Sequence, residues 1–341
     1  MASRSCTPLD LQPLTHWLTN TLQQRVFVLG ATGTIGRATV RALVQHGHEV
    51  VCFVRPKAAG ADVAAGATLR FGNVQDAASL ATDGFRGERF DALVSCMASR
   101  TGAPKDAWAI DHQAHVLALR AAQAAGVSHM VLLSAICVQK PLLAFQHAKL
   151  AFEKSLVESG IRYSIVRPTA FFKSLSGQVE RVKAGKPFLI FGGGRLTACK
   201  PISDADLADY IAGCLDDPTR HNQVLPIGGP GQAITPLQQG EELFRLLGRP
   251  PSFKQIPVGL MDGIVTGLSW AGKLVPPLAA KAELARIGRY YATESMLVWD
   301  AAAGRYDAAQ TPSVGTETLF DYYARLLSGE ALAERGEHAV F

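Results

Sequence analysis

This chain of 341 residues lacks most of the features that mark special classes of protein. Its six cysteines, Cys6, Cys52, Cys96, Cys137, Cys199 and Cys214, stand far apart with no Cys-x-x-Cys pair. Neither a disulfide framework nor a zinc site is signalled, and a reducing compartment fits. Charge is sparse at 18 %, and 34 basic against 29 acidic residues leave +5 without a Lys/Arg cluster. A surface that tracks nucleic-acid phosphates is therefore not expected. Gly 32 and Pro 18 are too few and too scattered for a fibrous chain, and 48 % apolar residues argue against disorder. No long unbroken apolar run is present: the greasiest stretch, 258–275, is interrupted by Asp262, Lys273 and four glycines. A spanning helix is not expected there; a membrane-surface contact or a greasy pocket wall stays open. Residues 1–24 contain Trp17, two prolines and Asp10 and no continuous apolar core. They are expected to form a short arm rather than a signal peptide, with a short transit sequence left open.

What is present is an alternating rhythm from Arg25 onward. Val26–Leu29 is a β-rich run, a glycine turn follows, Ile35–Gln45 has helical spacing, and Val50–Val54 is again β-rich. Further strands are expected at Thr68–Phe71, Ala92–Ser95, Met130–Ser134 and Tyr163–Val166, with helices at Asp76–Ala81, Asp106–Ala125 and Leu143–Ser159. Apolar runs without strict alternation imply strands covered on both faces, as in a doubly wound parallel α/β sheet of the Rossmann kind, with at least six strands up to Pro168. Beyond Pro168 the rhythm changes. A helix is expected at Phe171–Ala184, turns at Phe188–Thr197, a helix at Asp204–Leu215, a strand at Val224–Ile227, and mostly helix after Thr235. The expected division is an arm 1–24, a dinucleotide domain 25–168, a smaller and mainly helical substrate lobe 169–330 with some segments returning to the sheet, and a tail 331–341.

Gly30-Ala31-Thr32-Gly33-Thr34-Ile35-Gly36 sits between a strand and a helix, where backbone N–H groups and the helix dipole can meet a pyrophosphate. The residue closing the second strand chooses between cofactors: a carboxylate binds a ribose 2′-hydroxyl, a guanidinium a 2′-phosphate. Arg55 stands there, with Lys57 close by, so NADPH is favoured. Asn73 and Asp76 follow the third strand and face the adenine side, unless Asp76 only caps a helix. Ser95 and Cys96 end the fourth strand where backbone passes the nicotinamide ribose. Ser134 ends the fifth, and Pro168 the sixth.

The glycine turn, strand order and Arg167-Pro168 resemble the short-chain dehydrogenase/reductase superfamily, whose usual catalytic pair is Tyr-x-x-x-Lys on the helix after the fifth strand. Here that segment reads Phe145-Gln146-His147-Ala148-Lys149: the lysine is present and the tyrosine is absent. A phenyl ring donates no proton, so carbonyl chemistry through a phenolic acid is put in doubt. Lys149 remains a candidate for the nicotinamide ribose and for proton delivery.

One atypical branch is more similar still: the divinyl chlorophyllide 8-vinyl reductases. The matching stretches are Phe145–Phe152, Arg167–Ser176 (RPTAFFKSLS), Lys186–Gly194 (KPFLIFGGG), Cys199–Leu207 and Ala285–Leu297 (ARIGRYYATESML). The resemblance runs from about Arg25 to Leu327 and implies reduction of an 8-vinyl group to ethyl by NADPH in chlorophyll or bacteriochlorophyll synthesis. It implies Lys149, Ser134 or a water as proton source. A flat magnesium tetrapyrrole with a propionate tail needs a broad apolar slot and a cationic anchor. Phe145, Phe171, Phe172, Met261, Trp270, Tyr290 and Tyr291 are candidates for the slot; Lys173, Arg286 and Arg289 for the anchor. His112, His115 or His129 are candidate axial ligands of the substrate's magnesium, and no resident metal is expected. The implied setting is the cytoplasm of a phototrophic bacterium, with membrane association open, or the chloroplast of a eukaryote. Rival readings are an isoflavone-reductase-like or quinone reductase, and a non-catalytic NADP(H) sensor or scaffold.

Overall fold

The computed structural model describes residues 23–56, 65–273 and 275–330. Most of the arm, Lys57 and the tail 331–341 lie outside them. In chain order the strands are β1 (Arg25–Leu29), β2 (Glu49–Val54), β3 (Ala67–Phe71), β4 (Ala92–Ser95), β5 (His129–Leu133), β6 (Arg162–Pro168), β7 (Phe188–Phe191), β8 (Gln223–Ile227), β9 (Phe253–Ile256), β10 (Val298–Asp300) and β11 (Arg305–Asp307). The helices are α1 (Thr34–Gln45), α2 (Ala77–Ser79), α3 (Pro104–Ala107), α4 (His115–Ala124), α5 (Ala144–Glu158), α6 (Phe172–Leu175), α7 (Val179–Lys183), α8 (Asp204–Gly213), α9 (Pro236–Leu246), α10 (Val258–Gly272), α11 (Pro276–Thr293) and α12 (Leu319–Ser328).

Seven strands form one parallel sheet in the order β3-β2-β1-β4-β5-β6-β8. Successive side chains of a strand point to opposite faces, and here both faces are covered. Val26 and Val28 join a core under α1 and α8, while Phe27 and Leu29 join a second core under α4 and α5. The same division separates Val50, Cys52 and Val54 from Val51 and Phe53. Burial on both sides is why these strands read as unbroken apolar runs. Phe27 anchors the second core, its ring centroid 4.1 Å from that of Phe85 and 5.3 Å from that of Phe90. Burying each such side chain contributes roughly 2–3 kcal/mol. The sheet order reverses direction between β1 and β4, which opens a crevice at their carboxyl ends, where doubly wound folds bind ligands.

The seventh strand and α8 come after Pro168 in sequence yet belong to this sheet, β8 pairing with β6 and α8 packing on α1. The rest of the later chain builds a lobe over the carboxyl edge. Phe172, Val179, Phe188, Leu243, Phe244 and Tyr323 form its core. Two expectations change here. The helix foreseen at Phe171–Ala184 is broken into α6 and α7, and the turn-rich stretch begins with β7, which pairs in parallel with β9. Four-residue strands whose partner lies some sixty positions away leave too short a local rhythm to be seen. The helix at Asp106–Ala125 instead starts at Pro104 and passes through a π-helical segment, Trp108–Ala114, before α4. Among the described residues no helix is long and apolar enough to cross a membrane.

Candidate active site

The glycine turn has the shape a phosphate needs. Gly30 has φ +76°, and a Cβ there would fall 2.5 Å from the backbone carbon of Cys96; a Cβ on Gly36 would fall 2.0 Å from the oxygen of Gly30. Only glycine allows strand, turn and helix to approach so closely. Gly33 precedes α1, and no side chain caps that end nor does any acid lie in its first turn. The first amides and the positive end of the helix are thus left for an anion. The cradle fits a dinucleotide pyrophosphate.

Lys173 reaches this turn from the second lobe: its Nζ donates to Thr34 Oγ1 at 2.8 Å. The loop after β6 thus carries Lys173, expected as a propionate anchor, to the head of α1. Arg55 follows β2 and is exposed. Asn73 folds onto its own turn, Oδ1 accepting from Gln75 N at 3.0 Å, and Asp76 caps α2 through Ala78 N at 2.9 Å.

Beside the turn lies a cavity of about 420 Å³, walled by the carboxyl ends of β4, β5 and β6 on one side and by the second lobe on the other. Cys96, Ser134, Phe145, Lys149, Pro168 and Phe171 all border it, as does Tyr291. The structure therefore gathers most of the sheet-edge residues read from the sequence. Phe145 and Lys149 are one turn apart on α5, which places both on one face.

Several other candidates sit elsewhere. Ser95 is buried beneath the edge and donates to His115 Nε2 at 2.9 Å, the ring's Nδ1–H being given to Ile110 O at 2.8 Å. Phe172 points away from the cavity into the lobe core beside Tyr322. Tyr290 is buried, its hydroxyl donating to Cys137 O at 3.0 Å and Lys140 O at 3.1 Å. Arg286 donates to Glu283 Oε2 at 2.8 Å and Ser269 Oγ at 2.7 Å, and Arg289 pairs with Asp262. Both arginines stitch α10 to α11 instead of facing the cavity. Met261 and Trp270 lie on α10, whose residues contribute nothing to the cavity wall. His115 is held as described, His129 Nε2 is given to Ser164 Oγ at 3.0 Å at the far end of β5, and His112 meets Trp108 edge-on. None of the three borders the cavity.

Two acids that sequence reasoning passed over, Asp111 and Glu153, organise the site. Lys149 Nζ lies 3.1 Å from Asp111 Oδ1, and Asp111, fully buried, also accepts from Ser99 Oγ at 2.6 Å and Ser99 N at 3.2 Å. The π-helical segment brings Asp111 to that spot. Ser134 donates to Glu153 Oε1 at 2.5 Å, and Glu153 is paired with Arg167. Nothing local singles these acids out, since Asp106 stands near Asp111 and Glu158 near Glu153; burial marks them, where a carboxylate needs a partner. Burial pushes the Cys96 thiol up to about 11, which disfavours the reactive thiolate. Burial, with the Lys149 charge next in weight, lowers His115 to about 4 and keeps it neutral.

Remote from the cavity, His46, His48 and Asp216 cluster with ligand atoms within 4.8 Å of one another. Gln24 N donates to His48 Nδ1 at 3.3 Å, which puts the ring proton on Nε2, facing Asp216 Oδ2 at 3.7 Å. At 3.7 Å the two do not hydrogen-bond, and both atoms are buried without a hydrogen-bond partner.

Residues 30–218 match the NAD(P)H-binding family. Over 338 residues the chain is 50 % identical to the chloroplastic divinyl chlorophyllide a 8-vinyl-reductase of Cucumis sativus, covering 94 % of this chain and 81 % of that one. The chain belongs to the divinyl chlorophyllide a 8-vinyl-reductase family. The member from Arabidopsis thaliana is 47 % identical over 332 residues, covering 92 % of this chain and 79 % of that one. Membership makes this protein an NAD(P)H-binding oxidoreductase. Its fold is shared more widely: the NADPH-dependent quinone oxidoreductase of Escherichia coli superposes with a TM-score of 0.62 at 20 % identity, over 89 % of this chain and 99 % of that one.

Proposed function

We propose that the protein reduces the 8-vinyl group of a divinyl chlorophyllide a or protochlorophyllide a to ethyl, using NADPH, in chlorophyll or bacteriochlorophyll synthesis. The observation that carries the reading is an apolar cavity bordered by Cys96 and Met97, whose backbone meets Gly30 of the dinucleotide cradle, with Lys149 in its wall and Phe145 where a phenol would polarise a carbonyl. When bound, the reduced nicotinamide supplies hydride. A vinyl conjugated to a tetrapyrrole spreads the developing negative charge into the macrocycle, so a strong oxyanion donor at position 145 is not required.

In this reading residues Gly30 to Gly36 hold the pyrophosphate, with Lys173 adding a cation over the head of α1. Arg55 and Lys57 take the 2′-phosphate, and Asn73 lies on the adenine side. The ends of β4 and β6, at Ser95-Cys96 and Pro168, flank the nicotinamide half. Lys149, oriented by Asp111, meets the ribose. Phe145 and Phe171 border the pigment. Ser134 keeps Glu153 and Arg167 in place beneath it.

The greasy substrate also accounts for α10, which buries none of its residues and exposes Leu260, Ile264 and Trp270, the last by 71 %. Lys273 Nζ sits over the Trp270 ring, 5.1 Å from its centroid. We assign this helix a peripheral membrane contact. The chloroplast is the compartment proposed for a eukaryotic source, the cytoplasm for a phototrophic bacterium.

Purified protein with NADPH and divinyl chlorophyllide a should give the monovinyl pigment, seen as a blue shift of the Soret band. Bound NADPH with no shift for either pigment would replace this reading with a nucleotide sensor.

A further inference from the structure

Reduction of a vinyl group needs a proton as well as a hydride, and Phe145 has none to give. Near the sheet edge the exchangeable protons are engaged: Ser134 donates to Glu153, Ser99 to Asp111, and Lys149 is paired with Asp111. Ser174 and Thr197 also border the cavity, but aliphatic alcohols are far weaker acids than a phenol. A phenol does enter the wall from the opposite side. Ile287 and Tyr291, four apart on α11, share a face. Ile287 packs in a cluster with Phe145 and Cys137, and the Tyr291 hydroxyl lies 3.9 Å from Cys137 Sγ. Its neighbour Tyr290 has its hydroxyl committed to two backbone carbonyls and does not reach the cavity. The Tyr291 side chain is still 39 % exposed, so the ring joins the cavity wall to solvent. Burial of the hydroxyl end, with the Cys137 thiol adding to it, holds this phenol in its protonated form by raising its pKa well above the ordinary value.

We propose that Tyr291, supplied by the second lobe, is the proton donor of the reaction. The inference rests on the vinyl-reductase reading above. Hydride addition to the terminal vinyl carbon forms one C–H bond and moves the C=C electron pair to the carbon attached to the macrocycle. The Tyr291 O–H bond then breaks, its proton forming the second C–H bond on that inner carbon. The phenolate takes a proton from water that enters the cavity, which restores the enzyme.

The test uses Tyr291→Phe and Tyr291→His in the full-length protein. Binding of NADPH, followed by nucleotide fluorescence, and uptake of divinyl chlorophyllide a by nucleotide-free protein, followed by Soret absorbance, should stay within about threefold of wild type. For Tyr291→Phe, kcat should fall about 100-fold with the pigment KM little changed. The histidine variant, which keeps an exchangeable proton, should recover at least about tenfold of that loss. In D₂O the wild type should place deuterium on one face of the new methylene, and Tyr291→Phe on both, since water then protonates from either side. An unchanged kcat, a slow variant that still labels one face, or equal loss in both variants would overturn the assignment. A wild-type protein that binds NADPH yet reduces no vinyl group would remove the reaction itself, a result distinguishable from all of these.

Discussion

Two regions meet at the carboxyl edge of the sheet and are built in opposite ways. The glycine turn is seven consecutive residues, and its geometry follows from backbone sterics at Gly30 and Gly36. The cavity beside it takes Cys96, Ser134, Lys149, Phe171, Ile190 and Tyr291 from six separate segments of the chain. A contiguous site tolerates almost no change at its glycines but is indifferent to the lobe above. A dispersed site depends on how that lobe is seated. Lys173 is where the two are tied, since it belongs to the lobe by sequence and to the turn by contact.

That contrast can be broken at its strongest point first. Gly36→Val should abolish nucleotide binding, by at least about 100-fold in fluorescence titration, because even a Cβ there would overlap the Gly30 oxygen at 2.0 Å. Retained binding would mean that the turn is not the cradle. Next, Lys149→Ala should lower kcat about 100-fold while NADPH affinity changes much less, in steady-state kinetics paired with titration. An effect below about twofold would reduce Lys149 to a structural partner of Asp111.

A finer division is expected between the two cations of the nucleotide site. Lys173→Ala should weaken NADPH and NADH alike, by about tenfold, as the loss of one charge-assisted hydrogen bond to the shared pyrophosphate. Arg55→Ala should weaken NADPH by a similar factor and leave NADH nearly unchanged. Equal weakening of both nucleotides by Arg55→Ala would end the 2′-phosphate argument, and a change in pigment KM alone on losing Lys173 would return that residue to the substrate.

The legible part of this protein was the part with a short repeat or a contiguous motif. The strands to Pro168 are visible as short apolar runs, most of them buried on both faces, and Gly30–Gly36 because a close approach of backbones leaves only one residue type. Lys149 was found through its spacing from Phe145. By contrast, Tyr290 and Tyr291 are adjacent and chemically identical, yet one is locked onto carbonyls of the loop after β5 and its neighbour borders the cavity. Nothing local distinguishes them, since the rotation of α11 decides which faces inward. Arg286 and Arg289 were equally ambiguous until their partners on α10, Ser269 and Asp262, came into view.

Local pattern was sufficient for the doubly wound sheet, the dinucleotide turn and the absence of the usual phenol, because these depend on side-chain periodicity and backbone sterics within a few residues. The pairing of Lys149 with Asp111, the reach of Lys173 to Thr34 and the selection of Tyr291 for the cavity needed the folded chain. Each joins residues remote in sequence, and whether two such groups meet is set by the packing of whole elements, about which neither residue's neighbours carry information.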